Sequence, residues 1–435
     1  MSMRKLREAR TTAAGASTAT RPAMAWVITG MLVGLMIINW ADKTLFAIAA
    51  QPLREELGLT PAQIGFIGSA FFFLFGITGL VVAFIADRMK AKWVLLTLAL
   101  LWSVTQVPVL VSATATALLV SRIALGAAEG PAGAMTSVAA FQWFPKEKRA
   151  LPAAWLASGA SIAKIAVAPV LALIVAAYGW RAAFMAMALV GVVWCAAWLL
   201  ISREEGPYAA SNVESADGEA DGRRVPFRRI ALTPTFLGGT VGLFTLYAVV
   251  AVVLTWLPSY FEVALGFSRV QSGFMFGLPS IAGIVILILV SWYTDRRLAR
   301  GSKSRVMRGF VAAGALVVGG IFFAVTPYVD NRMLAVAAVV LGYGVVSVSY
   351  PLMAAAISQL APVRQQASTL GVFNALFTTG GLVGPALTGM LVGAANTPAA
   401  GYALAFQVFG FSAMVGGLII ALTVHPERDS AKLAE

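Results

Sequence analysis

Five ionisable residues stand inside long apolar runs of this chain: Asp42 and Lys43 in "INWADKTLF", Arg122 and Glu129 in "VSRIALGAAEGPAGAM", and Lys164 in "ASGASIAKIAVAP". A charge at bilayer depth costs a few kcal/mol, so each needs a partner or a task. Arg122 and Glu129 are seven residues apart, close to two helical turns, which predicts one shared face with about 10 Å between them along the axis. Gly126 lies between them on that face and leaves room for a substrate or a neighbouring helix. Asp42 and Lys43 point about 100° apart and need not serve the same partner. Lys164 sits about 21 Å into its run by helical rise, with Ser161 one turn away on the same face.

Two acids against three bases leave one positive charge unpaired if all five are ionised. One account is structural, with ion pairs locking helices together, yet a permanently unpaired buried cation is a poor structural device. The other account is functional: the surplus cation awaits an anion, and the acids exchange protons. Arg offers a planar fork that holds its charge at any physiological pH. Burial favours the neutral form of a carboxyl and nearby cations favour the charged form, and both influences reach Asp42 and Glu129. An anionic substrate and a carboxylate compete for the same cations, so anion binding promotes protonation of the acid. That is a physical basis for anion–proton symport.

The elements that must position these groups are membrane helices. The 435 residues are 59% hydrophobic and only 12% charged, against about a quarter charged in soluble domains. The apolar runs are too long and uniform for an outer-membrane barrel. The pattern predicts an all-α polytopic membrane protein with twelve spans at about 24–50, 60–86, 92–110, 114–139, 150–178, 180–201, 233–262, 270–293, 308–328, 333–360, 367–395 and 400–424. The stretch "SREEGPYAASNVESADGEADGRRVPFRR" has linker composition. It divides the chain into six-helix halves at 24–201 and 233–424, joined by a cytoplasmic linker at 202–232. Residues 1–23 read as a disordered cytoplasmic tail and 425–435 as a second tail. "IADRMKAK" after the second span and "WYTDRRLARGSKSR" after the eighth place Asp87-Arg88 and Asp295-Arg296 at equivalent points, as a duplicated unit would.

The net charge of +13 is topology and not a nucleic-acid footprint. The termini and even-numbered connections carry 25 of the 32 Lys and Arg, a positive-inside skew that puts both ends in the cytoplasm of a bacterial inner membrane. The single cysteine, Cys195, permits no intrachain disulfide, and His425 is the lone histidine. A zinc or haem site of the usual kind needs more such ligands, and there is no convincing nucleophile–base arrangement. An enzyme is therefore disfavoured, and no cofactor beyond a coupling proton is expected.

The sequence resembles the major facilitator superfamily and, within it, the anion:cation symporter family, from about residue 24 to 425. The resemblance rests on "NWADKTLF", "IADR", "RIALGAAEGP", "YGWRAAF", "TWLPSYF" and "WYTDRR" taken together. The first-span Asp-basic dipeptide combined with the fourth-span Arg-x6-Glu is similar to sugar-acid transporters. The resemblance implies proton-coupled import of an organic anion by alternating access, with a site between the halves at mid-membrane. It implies that Asp42 and Glu129 are protonation sites and that Arg122 binds the substrate carboxylate or controls Glu129. It further implies that Asn374 faces the cavity, and that Asp87 and Arg88 serve a cytoplasmic gate, with Asp295 and Arg296 as their counterparts. Two residues depart from the pattern: Lys43 replaces an Arg, a point charge for a fork, and Lys164 is an extra cation that either reaches a second anionic group or pairs with Asp42 or Glu129.

The second half offers Tyr247, Trp256, Ser280, Tyr343, Ser347, Tyr350, Asn374, Thr378 and Thr379 on its spans. Hydroxyls and an amide bond substrate hydroxyls and aromatics stack on rings, although any one such residue is more often packing. The expected substrate contacts are Lys43, Arg122, Lys164, Ser161, Tyr247, Tyr343, Ser347, Asn374 and Thr378. "GGLVGPALTG" reads as close helix packing with a Pro bend. The leading expectation is a monomeric symporter for a carboxylate, with membrane lipid and protons as its other partners. An organic-anion or drug exporter working as a proton antiporter is the alternative, and a transporter-like sensor is a third reading.

Overall fold

The computed structural model describes residues 22–85, 90–202, 206–208 and 225–434. Among them, ten helices are long and apolar enough to cross a membrane. One of these, 150–201, holds the fifth and sixth spans and turns at Gly179, whose φ of 82° is a left-handed value that favours glycine. The fourth span is broken in two, Ala115–Glu129 and Ala132–Phe141, with Pro131 at the junction. Twelve spans in two six-helix halves result, as the hydropathy pattern predicts.

The first span, Pro22–Leu57, ends at Gly58, whose φ of 63° supplies a left-handed C-terminal stop. The second span is Pro61–Ile85, and the third comprises Ala91–Thr105 and Val107–Val111. In the second half the seventh span is Pro234–Ser259, the eighth Arg269–Met275 and Leu278–Ala299, and the ninth centres on Val311–Val325. The tenth comprises Arg332–Ser347 and Ser349–Ser358, the eleventh Val363–Thr378 and Gly380–Ala394, and the twelfth Pro398–Thr423. On the face opposite the chain ends, the second, fourth, eighth, tenth and twelfth spans open with Thr60, Thr114, Ser268, Asn331 and Thr397. Each accepts a backbone N–H of the first turn, which fixes where the helix starts.

Small residues bring the spans together, as expected where lipid supplies no hydrophobic drive between helices. A Cβ at Gly126 would overlap the Phe71 carbonyl, and one at Gly130 the Phe75 carbonyl. The space at Gly126 is therefore filled by the second span. Between the halves, Gly65 packs on the Pro385 carbonyl, Gly389 on the Pro61 carbonyl and Gly381 on the Phe72 ring. This is the close packing expected of "GGLVGPALTG". Gly273 meets Ala172 and Gly277 meets Lys164 and Ile165 where the eighth span crosses the fifth. Near the face opposite the chain ends, Arg269 links Glu262 of its own half (3.1 Å) to Glu55 of the other (3.7 Å).

The segment expected as a second tail is instead a helix, Pro426–Ala434, seated on the second half. Asp429 is buried and its Oδ2 accepts from the Thr235 N–H (3.0 Å) and hydroxyl (2.7 Å), capping the seventh span from 194 residues away. Glu427 accepts from the Arg305 N–H at the head of the ninth span (3.0 Å). The linker ends in a helical turn, Phe227–Ala231, and Gln365 exchanges two hydrogen bonds with the Val225 backbone (3.0 and 2.8 Å). The expected tail at 1–23 lies, up to residue 21, outside the described residues.

Candidate functional site

The five charges are buried, from 1% exposure at Glu129 to 7% at Lys164. Successive positions on one helix diverge, and the structure shows the consequence at Asp42 and Lys43. Lys43 crosses from the first span to form an ion pair with Glu129 of the fourth. Its ammonium also donates to the Asn39 side chain (2.9 Å) and carbonyl (3.2 Å) one turn back. Asp42 turns away and accepts from the Gln106 amide (2.8 Å), at the break in the third span. Among the described residues, Lys43–Glu129 is the one ion pair that these five groups make.

Arg122 forms no ion pair with either acid among the described residues. Its guanidinium carbon lies over Phe46 and Phe71, 4.3 and 4.9 Å from the ring centroids. Its Nε has no hydrogen-bond partner among the described residues, and neither has Glu129 Oε1. Arg122 and Glu129 therefore share a helix and the Phe71 neighbourhood without sharing a hydrogen bond. Lys43 also stands over Phe71 (5.2 Å), and over Phe75 (5.7 Å) and Trp40 (5.1 Å). Aromatic faces, and not acids, carry much of the cation contact here.

Lys164 lies in a π-helical turn, Ala163–Val167, which widens the fifth span at the middle of its path. Its ammonium stands over Trp40 (5.2 Å) and over Tyr343 of the tenth span (5.5 Å), and donates to the Tyr343 hydroxyl at 3.4 Å. It pairs with neither Asp42 nor Glu129, one of the two options the sequence left open. Ser161, expected on its face, is half-buried and makes no side-chain hydrogen bond among the described residues.

From the second half, Tyr247 packs edge-on to Phe72 and Phe377, and Tyr350 to Phe377. Asn374 lies beside the Tyr350 hydroxyl. Tyr247, Tyr350 and Asn374 thus cluster around Phe377, while Tyr343 contacts Lys164. Ser347 and Thr378 donate to carbonyls of their own helices, those of Tyr343 (2.7 Å) and Ala375 (3.1 Å), and exposed Thr379 does the same to Leu376. Trp256 donates to the Pro385 carbonyl (3.0 Å) and packs edge-on to Tyr402, both contacts lying within the second half. Ser280 is buried, and its hydroxyl has no partner among the described residues. Asp295 is exposed and Arg296 stands over Trp292 (5.4 Å). Asp87 and Arg88 lie outside the described residues. Sequence reasoning missed Asn39, Trp40, Phe71 and Gln106. Gln106 is a polar residue in an apolar run, and that was its signal.

The profile of the Major Facilitator Superfamily matches this chain at residues 31–330 and 308–435. The probable sulfoacetate transporter of Cupriavidus necator is 28% identical over 415 residues, covering 92% of this chain and 94% of that one. The hexuronate transporter of Bacillus subtilis is 25% identical over 393 residues, covering 90% and 92%. Among solved structures, a bacterial homologue of the human lysosomal transporter Spinster, inward-facing and unoccupied, superposes with a TM-score of 0.73. It is 15% identical and covers 94% of this chain and 98% of that one.

Proposed function

The chain belongs to the Major Facilitator Superfamily, a membrane transporter and not an enzyme, and from that premise we propose that it imports an organic carboxylate by proton-coupled symport. The observation that carries the reading is Arg122: a buried guanidinium with no acid bound to it among the described residues, on the same helix as a carboxylate that is bound to another cation. A free buried cation next to a Lys43–Glu129 pair is a site arranged for exchange. A carboxylate arriving at Arg122 and Lys43 takes over the cation that Glu129 holds, and Glu129 is released to bind a proton. Asp42, held by Gln106 and by no cation among the described residues, is the second proton carrier. The names of the relatives, sulfoacetate and hexuronate transporters, support an organic anion as cargo.

The positive-inside skew supports cytoplasmic ends in an inner membrane. With that orientation the Gly65–Pro385 and Gly389–Pro61 contacts and the Arg269–Glu55 bridge close the periplasmic side. The direct test uses purified protein in liposomes with an alkaline interior, offered labelled sugar acids, dicarboxylates and aromatic acids. Carboxylate uptake that a protonophore abolishes is the expected result. Failure of every carboxylate to bind or enter, with cationic drugs moving instead, would replace this reading with export.

A further inference from the structure

Three of the five buried charges are cations, and one of them is already paired. Lys43 is neutralised by Glu129. Arg122 and Lys164 have no acid within ion-pair distance among the described residues, although they are only 6% and 7% exposed. They also sit on different rings: Arg122 on Phe46 and Phe71, Lys164 on Trp40 and Tyr343. Lys43 stands over one ring of each set, Phe71 and Trp40, and so lies between them. The two unfilled cations are therefore two places for negative charge and not one.

Building on the carboxylate-transport reading above, we infer that the cargo is a dianion, one anionic group held by Arg122 and a second by Lys164. Charge balance favours this. Before Glu129 is displaced, with Asp42 protonated and Glu129 neutralising Lys43, Arg122 and Lys164 leave two uncompensated positive charges at buried positions. A dianion cancels both, whereas a monoanion leaves one cation buried and unpaired, a costly state. Once Glu129 takes up its proton a third cation is freed, and the dianion still leaves one positive charge fewer than the monoanion. The surroundings of Lys164 suit an anionic head. The Tyr343 hydroxyl is within 3.4 Å of the ammonium. Gly277 packs on the Lys164 carbonyl, and one turn along the same face of the eighth span Ser280 holds a buried hydroxyl with no partner among the described residues.

This placement also gives the second charge a mechanical task. Lys164 belongs to the first half, and Tyr343 and Ser280 to the second. An anionic group seated there binds both halves at once, so a dianion draws them together at mid-membrane and a monoanion held at Arg122 alone does not.

The test is binding of matched pairs to the purified full-length protein: galactarate against galactonate, succinate against butyrate, and sulfoacetate against acetate. In at least one pair the dianion is expected to bind about tenfold more tightly, the scale of one charge-assisted hydrogen bond. Lys164→Gln should bring the two affinities together, and a melting temperature close to that of the parent protein shows that the variant is folded. Lys164→Arg should keep the preference, and Tyr343→Phe should reduce it in a protein whose charges are intact. Equal binding of monoanion and dianion to the parent protein would overturn the inference and leave carboxylate transport standing. A dianion preference that survives Lys164→Gln would overturn it as well. Binding of no anion at all would remove both readings together.

Discussion

Lys43 and Glu129, 86 positions apart, close an ion pair between the first and fourth spans, while Asp42, one residue before Lys43, faces Gln106 instead. Adjacent charges thus serve separate partners, and the two carboxylates that could carry protons occupy unlike surroundings. One is held by a cation and the other by an amide.

Glu129→Gln separates binding from coupling. The amide still offers Lys43 an acceptor oxygen but cannot take up or release a proton. Exchange of labelled substrate at equal pH on both sides should persist, while uphill accumulation under a proton gradient falls to that of protein-free liposomes. Unchanged accumulation would pass the coupling role to Asp42.

Arg122→Ala removes the unfilled guanidinium. A hydrogen bond to a charged group contributes about 1.5–3 kcal/mol, so carboxylate affinity should fall by about ten- to a hundredfold. Arg122→Lys keeps the charge without the fork and should fall between the two. Titration calorimetry reads the difference, and parent-like affinity in Arg122→Ala would place the carboxylate elsewhere.

Gly126→Ala tests whether the second span is pressed against the fourth. The new methyl would meet the Phe71 carbonyl, a backbone atom that cannot rotate aside. Overpacking of this kind costs about 1–3 kcal/mol, and the melting temperature should drop. Gly133→Ala, in the same span with nothing within 4 Å of its added carbon, is the control and should be neutral or slightly stabilising.

What could be read in the sequence follows from what is local. Apolar run length predicts the spans, and a 100° step between neighbours predicts that Asp42 and Lys43 diverge. The partners they diverge to are not local: whether Lys43 or Arg122 reaches Glu129 depends on how the first and fourth spans lean together. The π turn at Ala163–Val167 alters the register that ideal helix geometry assigns to Ser161 and Lys164. Gly126 was ambiguous between an open site and a packed one, because a missing side chain looks the same in both. The final helix was readable in principle, with Pro426 at its start and acids in its first turn. Its docking was not, since Thr235 is 194 residues away.

Asp429 gives the protein a pH-dependent anchor outside the membrane. Burial pushes its carboxyl up, but hydrogen bonds from Arg428 and from the Thr235 hydroxyl and N–H outweigh this and hold it below the usual carboxylate range. The folded form therefore stays charged to lower pH than the unfolded chain. Its stabilisation is present above the unfolded value, about 3.9, and is lost as pH falls through the folded one. Asp429→Ala should lower stability by about 1 kcal/mol near neutrality, the worth of a helix cap. That difference should shrink below about pH 4, as melting curves across pH would show.

The same clasp has a consequence for synthesis. The Thr235 N–H and hydroxyl, in the first turn of the seventh span, leave the ribosome 194 residues ahead of the carboxylate that caps them. At about 5–20 residues per second the span waits some 10–40 s (order of magnitude) for its partner. During that interval the head of the seventh helix must be satisfied by water or by lipid headgroups at the membrane surface, and the second half can take its final form only after nearly the whole chain has emerged.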